Sequence, residues 1–448
     1  MSGISRITRG KWSWLAAVAS VVLALALAAP YVVPMDGYIP EVMDAAARRI
    51  GQPVTLQDMR LHILPTPRVA LYGIKVGRGA PLSIDELRVV PELTSLVGDH
   101  IVIRLLRADG VRVRQAALAM LDRMPKSSQG GARVSIRHID LRNVSFDYRI
   151  LSVPPFNLRV ALGPDYAPQR ATLRTVDDAL EARLEPGDDG AARVALASHG
   201  WRLPLRIAPL AFESLEASGT LKGGRLALPK VTGRLYGGTL VGSFFLDWSR
   251  EWRLGGRADV VRVQLVPLLK DLGKPARMSG QLNARAVFSA RARAAAQLGD
   301  ALVLDAPAAV KSGTWHGVDL ARVAEMPLAN LSEGGETPFE TLRAIVALRG
   351  KALRLYDICA RSPSLVAGGH AEIAADEALS GLLDVSAAKT GGIVGVPLAL
   401  GGTLSEPSVG LTTGAKIGAL IGTLVLPGVG TTLGATAGAK LDSVSACK

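Results

Sequence analysis

Ile101-Val-Ile-Arg-Leu-Leu-Arg-Ala-Asp-Gly-Val-Arg-Val-Arg114 is the stretch that decides the fold. In Ile101-Val-Ile103-Arg-Leu105, and again in Val111-Arg-Val113-Arg114, aliphatic side chains recur at every second position. That is the period of a β-strand with one apolar and one solvated face, here aliphatics on one side and guanidinium groups on the other. An apolar face left in water is unfavourable by ~25 cal/mol per Å². It must be covered by a second sheet, by helices or by a ligand. The period alone leaves open a closed sandwich and an open groove that shelters acyl chains.

The same period extends on both sides. Upstream lie Val54-Thr-Leu56, Leu61-His-Ile63, Val69-Ala-Leu71, Ile74-Lys-Val76 and Leu87-Arg-Val89, punctuated by Pro65, Pro67 and Gly73. Downstream lie Val134-Ser-Ile136, Ile139-Asp-Leu141 and Val144-Ser-Phe146. Between the two sets, residues 115–124 read as a helix and 125–132 as a loop. Residues 36–51 read as a short helix after Pro40, stopped by Gly51. The prolines at 154, 155, 164, 168, 186, 204 and 209 predict short strands and long turns over 151–210. From Gly219, GTLKGGRLALPKVTGRLYGGTLVGSFFLDW reads as hairpins, and GKALRLYDICARSPSLVAGGHAEI from Gly350 as its echo. Both pass through a Leu-Tyr pair (Leu235-Tyr236, Leu355-Tyr356) to a Gly-Gly turn, an internal repeat of hairpin units. Short helices are expected over 289–298 and 319–326.

Composition supports a strand-rich body. The 48 Gly and 26 Pro predict many turns and few long helices, and with aromatics at 4% the interior must be built from small and branched aliphatics. The formal charge of +13 is carried by single Arg residues and not by basic runs. It reads either as general Arg enrichment or as attraction to anionic headgroups, worth ~1 kcal/mol per well-placed residue.

Trp12 to Met35, WSWLAAVASVVLALALAAPYVVPM, holds 24 residues without a charge. As a helix it measures ~36 Å, enough to cross a hydrocarbon core of ~30 Å. Arg6, Arg9 and Lys11 precede it, so the basic end stays cytoplasmic and the bulk of the chain lies across the membrane. A cleaved secretory signal ending near Ala26-Leu-Ala28 also fits the basic end and the apolar run. Continuation through Tyr31-Val-Val33 favours an uncleaved anchor, and either reading exports the body. Nucleic acid is not expected as a partner there. Export permits Cys359 and Cys447 to pair, although the sequence leaves the pairing open.

A family resemblance rests on motifs in order along the chain. They are Asp36-Gly-Tyr-Ile-Pro40, Ile50-Gly-Gln-Pro53-Val-Thr-Leu56, Leu64-Pro-Thr-Pro67-Arg-Val-Ala-Leu71, and Leu87-Arg-Val-Val-Pro91 followed by Leu96 and Gly98. Arg234-Leu-Tyr236-Gly-Gly238-Thr-Leu, Ser312-Gly-Thr-Trp-His-Gly317-Val-Asp319-Leu and Gly402-Thr-Leu-Ser-Glu-Pro407-Ser-Val follow. Together they resemble the AsmA family of bacterial inner-membrane proteins with periplasmic bodies. The resemblance implies a curved β-sheet groove with an apolar floor, a role in outer-membrane lipid homeostasis or outer-membrane protein assembly, and no catalytic residues. It favours the groove over the sandwich.

Near the C-terminus, Gly410, Gly414, Gly418 and Gly422, then Gly430, Gly434 and Gly438, recur every four residues around Pro427-Gly428. Small residues at this spacing let helices approach closely. Each half is too short to span a membrane, so a helical hairpin is expected over 410–448, with a poorly ordered Gly/Thr tail as the alternative.

No enzyme motif is present. The six His are scattered, and there is no HExxH, paired-Cys, GxSxG or GxxxxGK[ST] pattern. His316 reads as a strand or turn position, and Asp177-Asp178 and Asp188-Asp189 as solvated turns.

The expected architecture is mainly β. It comprises a basic tail over 1–11, a transmembrane anchor over 12–35 and an N-terminal β region over 36–150. A repetitive, elongated, curved antiparallel β-sheet groove follows over 151–409, with a few short helices, and then the Gly-rich hairpin over 410–448. The expected groove lining is Val54, Leu56, Leu61, Ile63, Val69, Leu71, Ile101, Ile103, Leu105, Val111 and Val113. Gly414, Gly418, Gly422, Gly430, Gly434 and Gly438 are the expected helix-packing residues. The expected function is non-enzymatic holding or transfer of phospholipid or another acyl-chain lipid at the inner membrane, with no cofactor or metal. The alternative is a scaffold for outer-membrane proteins, which would hold an outer-membrane or periplasmic partner by strand addition.

Overall fold

The computed structural model describes residues 35–447 except 65, 98–99, 115, 118–133, 148–152, 164–167, 205–208, 326–333, 388–394 and 418–446. The expected anchor, apart from Met35, and the Gly-rich hairpin beyond residue 417, apart from Cys447, lie outside these residues, as does most of the helix expected over 115–124. Among the described residues, no helix is long and apolar enough to cross a membrane. They form a mainly β chain of twenty-three strands with a few short helices. It divides into two compact units between Pro186 and Gly187.

The first unit begins with helix α1 (Ile39–Ile50), preceded by a single 3-10 turn at Met35–Tyr38. Pro40 sits in its first turn, where the missing N–H costs nothing, and Gly51 ends it at φ 72°, donating its N–H to the Ala47 carbonyl. Ten strands follow: β1 (Val54–Thr55), β2 (Asp58–His62), β3 (Arg68–Val76), β4 (Leu82–Pro91), β5 (Ile101–Arg114), β6 (Val134–Ile136), β7 (His138–Asp147), β8 (Phe156–Leu162), β9 (Pro168–Thr175) and β10 (Leu180–Pro186). They make one mixed sheet. β1 and β2 pair with β3, β6 and β7 run parallel to β5, and every other pair is antiparallel.

Gly73 does not punctuate this sheet, and residues 101–114 form one strand, not two. Register places Gly73, Asp85, Gly110 and Asn143 side by side on β3, β4, β5 and β7. Gly73, Gly110 and Asn143 take positive φ (64°, 67° and 50°). Each strand changes the phase of its pleat at this line, so residues three apart share a face: Leu71 with Ile74, Ile84 with Leu87, Ala108 with Val111, Leu141 with Val144. A Cβ at Gly110 would run into the Asp85 carboxylate, and the freed Asn143 N–H is taken up by Asn157 Oδ1 at 3.0 Å.

The second unit is an antiparallel meander of consecutive strands. These are β11 (Ala192–Arg202), β12 (Ala211–Lys222), β13 (Arg225–Leu235), β14 (Gly238–Asp247), β15 (Trp252–Gln264), β16 (Met278–Ala292), β17 (Val303–His316), β18 (Glu336–Arg349), β19 (Ala352–Arg361), β20 (Leu365–Ile373), β21 (Leu379–Ala387), β22 (Gly395–Gly402) and β23 (Pro407–Leu411). Helix α2 (Leu265–Asp271) interrupts between β15 and β16, α3 (Leu320–Glu325) between β17 and β18, and α4 (residues 413–417) follows β23.

Several expectations need correction. Residues 151–210 hold regular strands of seven to eleven residues, because Pro168 and Pro186 sit at strand ends where no interior N–H is lost. The segment 289–298 is not a helix. β16 runs on to Ala292, its Ala and Arg alternating between faces, and only a 3-10 turn at Ala295–Gln297 follows. The hairpin echo fails in detail. Tyr236-Gly237 forms a two-residue turn with φ 47° and 75°, whereas Tyr356 and Gly368-Gly369 lie inside β19 and β20. The helix expected over 319–326 is present as α3.

Candidate functional site

Pairing register assembles the alternating aliphatics into continuous apolar rows. In the first unit Leu61, Val69, Val89, Leu106, Ile139, Val160, Ala171 and Leu184 stand opposite one another across eight strands. A second row runs Met59, Leu71, Leu87, Ala108, Leu141, Leu158, Leu173 and Ala182. Every member of the first row is only partly buried. Near the N-terminal end the face is better filled. Val54, Leu56 and Ile50 of α1 pack on Ile74 and Val76, and Val111 packs with Ala108 and Val144.

Of the eleven residues expected to line a groove, Leu61, Val69 and Leu71 lie in these rows, and Val54, Leu56, Val111 and Val113 in the adjoining clusters. Leu105 does not. It pairs with Val90 and alternates with Leu106, which puts it on the charged face beside Arg107. Ile63 falls after the end of β2. Ile101 and Ile103 pair in parallel with Val134 and Ile136, outside both clusters, and Ile101 is exposed. Leu106 was missed because the pair Leu105-Leu106 fits either phase of the pleat. Of the helix-packing glycines, Gly414 lies in α4, and Gly418, Gly422, Gly430, Gly434 and Gly438 are outside the described residues.

The opposite face of the first unit explains the scattered arginines. Asp140, 6% exposed, accepts from Arg107 Nε at 2.9 Å and Arg142 Nε at 3.2 Å, with Arg159 at 3.8 Å. Arg88 grips the Glu86 carboxylate, holding it below the usual carboxylate range, and Arg60 lies over the Tyr72 ring at 5.6 Å. Burial and the neighbouring Glu86 push the Tyr72 hydroxyl up. Cross-strand pairing of opposite charges is the ordinary chemistry of a solvated sheet face.

The second unit repeats the two-faced pattern. Phe244, Gly256, Phe288, Leu304, Leu348, Leu353, Ile373 and Leu379 form one row across β14–β21, and Leu240, Val260, Ala284, Ala308 and Ala344 a parallel one across β14–β18. All thirteen are partly exposed. α2 caps one side of this face. Leu265 and Leu268 pack with Val263, Val310 and Phe339, and Tyr236 Oη donates to Asp271 at 2.8 Å while accepting from Ala211 N. The hydroxyl holds the Asp271 carboxyl below its usual range, and Arg202 Nη1 reaches its other oxygen at 3.1 Å.

Cys359 and Cys447 form a disulfide, the pairing that the sequence left open. Near it in register, burial pushes the Asp384 carboxyl up, and one of its oxygens has no partner among the described residues. Among the described residues, no cluster of His, Cys, Asp or Glu could hold a metal.

What this arrangement offers a ligand is an apolar face, with a charged face on the opposite side of the same strands. No curated protein and no solved structure matches the chain. The AsmA family does match, over residues 206–352, a span that takes in β12 to β18 with the motifs at Arg234 and Ser312 but not those nearer either end. AsmA-family proteins are bacterial envelope proteins, generally non-enzymatic and engaged in transport or assembly. Residues 206–352 of this chain are an AsmA-family domain.

Proposed function

We propose that the chain is a non-enzymatic envelope protein that holds acyl-chain lipid, phospholipid first among the candidates, against the apolar faces of its two units. The observation that carries the reading is the incomplete burial of whole rows, Leu61 to Leu184 in one unit and Phe244 to Leu379 in the other. A folded sheet that leaves such aligned rows of aliphatic and aromatic side chains in partial contact with water presents more apolar surface than isolated exposed residues do. In this reading Val54, Leu56, Leu61, Val69, Leu71, Val111 and Val113 belong to the lipid-facing side, and Leu106 takes the place of Leu105. The carrier is anchored in the inner membrane by residues 12–35, and its body is periplasmic.

Strand addition to a protein partner has less support. Among the described residues β2 is a five-residue edge carrying Asp58, Arg60 and His62, and β23 is an equally short one that opens on Pro407. Short, charged or Pro-bearing edges discourage pairing. The test is native mass spectrometry of the full-length protein with extraction of bound molecules. Phospholipid is expected on the wild type and lost in Val260→Asp, with a melting temperature only a few degrees lower, since Val260 is partly buried on the Val263 cluster. A wild-type protein that carries no lipid under gentle release would sink the proposal.

A further inference from the structure

The apolar face of the second unit changes character along the sheet. Over β14–β18 its central rows are partly exposed, and one row stays so to Leu379 of β21, but the rest of the face toward the C-terminus is dry. Ala367 is 2% exposed, Val385 and Leu398 0%, and Leu411 4%. The cover comes from within the unit. Val318, Leu320 at the start of α3, and Ala415 of α4 pack onto these strands. Thr337, itself 3% exposed, fixes that cover to β18. Its Oγ1 donates to the Val318 carbonyl at 2.7 Å and accepts from Leu320 N at 2.9 Å.

Two contacts show that the sheet here also coils. The Lys274 ammonium pairs with Glu377, and Arg277 Nη2 donates to the Ser405 carbonyl at 2.6 Å. These join the segment before β16 to the turns after β20 and β22. In a flat sheet β16 and β21 lie five spacings of ~4.8 Å apart, about 24 Å. Twist alone leaves strands that distance apart, so the contacts require the sheet to curve back as well as twist between β16 and β22, which brings the distant turns round to residues 274–277.

We propose that this coiled, covered end is a stop. Acyl chains held along the row from Phe244 to Leu379 do not run on across β22 and β23, and lipid enters and leaves across the flank of β14–β18 and not through the C-terminal end of the sheet. The inference rests on the lipid-holding reading of the face. Its physical basis is that Val385 and Leu398 already have their apolar surface removed from water, so a chain entering there gains no burial and must displace Leu320 and Ala415.

The experiment loads the full-length protein with phosphatidylglycerol carrying a diazirine in one acyl chain, irradiates it, and maps modified peptides. Adducts are expected over residues 238–316, with about tenfold fewer per residue over 395–411, because an interior packed at crystal-like density has no room for a chain. Adducts of similar density over 395–411 would overturn the stop while leaving the lipid reading intact. Adducts nowhere in the second unit would overturn the lipid reading of this face, and the stop with it.

Discussion

Leu106→Asp and Val111→Asp, five residues apart on β5, separate an open face from a closed one. Val111 is 6% exposed and packed against Ala108, Val144, Ile84 and Phe156. A carboxylate there loses the valine's transfer free energy, about 2 kcal/mol, and buries an unpaired polar group for a further 2 kcal/mol or so. The sum is about 4 kcal/mol, or roughly 8–16 °C in a unit of this size. Leu106 stands in the row from Leu61 to Leu184, where every neighbour is only partly buried. A carboxylate at that position reaches water, so the loss is restricted to part of the leucine's burial, about 1 kcal/mol and a few degrees. Differential scanning calorimetry of the full-length variants measures both, and native mass spectrometry of the same samples reports lipid. The expected pattern is a large thermal loss for Val111→Asp, and for Leu106→Asp a small one with lipid depleted. Equal, large losses would mean that something covers the Leu106 row in solution, and the open-face argument would fail.

Three further outcomes follow from the geometry. Reduction of the Cys359–Cys447 disulfide, or Cys359→Ser, releases a loop closed over 88 residues of sequence, for which chain entropy predicts up to about 4.6 kcal/mol. The second unit should melt about 10 °C lower, and insensitivity of the wild type to reductant would refute this. Tyr236→Phe removes the hydroxyl that donates to Asp271 and accepts from Ala211 N, at about 1–2 kcal/mol near pH 7. Because the Asp271 pKa is depressed in the fold, its share is present above the unfolded pKa of ~3.9 and lost as pH falls through the folded value, so the gap between the two melting temperatures should narrow in acid to the share of the Ala211 N–H bond. Asp384→Asn works in the opposite sense. Burial raises the Asp384 pKa, so the carboxylate opposes folding above the folded pKa, and that penalty vanishes below the unfolded one. The variant should be about 1 kcal/mol more stable at pH 7 and indistinguishable near pH 3; a destabilised variant at pH 7 would count against the assignment.

Much of the fold was legible because strand period is written directly in side-chain polarity. Val111-Arg-Val113-Arg114 gives both the strand and its two faces, and Gly51 gives a helix end. What misled was phase. The line through Gly73, Asp85, Gly110 and Asn143 shifts the alternation in four strands at once, and in one sequence each shift looks like a turn. The prolines at 168 and 186 misled in the same way, since a proline at a strand end and a proline in a loop differ only in which N–H the neighbouring strand requires.

The candidate site was legible as a face but not as an extent. Leu304 and Leu398 sit in strands with the same alternation, yet one is partly exposed and the other fully buried. Leu320 and Ala415 pack in one cluster with Leu398, and Leu320, far from Leu398 in sequence, reaches it only because the sheet curves. Alternation records which side of a strand avoids water; what does the covering is set by contacts between segments that no local pattern encodes. On the lipid-holding reading, room for an acyl chain remains where the chain has not already covered itself, and that boundary falls before β22, where Leu320, fixed to β18 through Thr337, packs with Leu398.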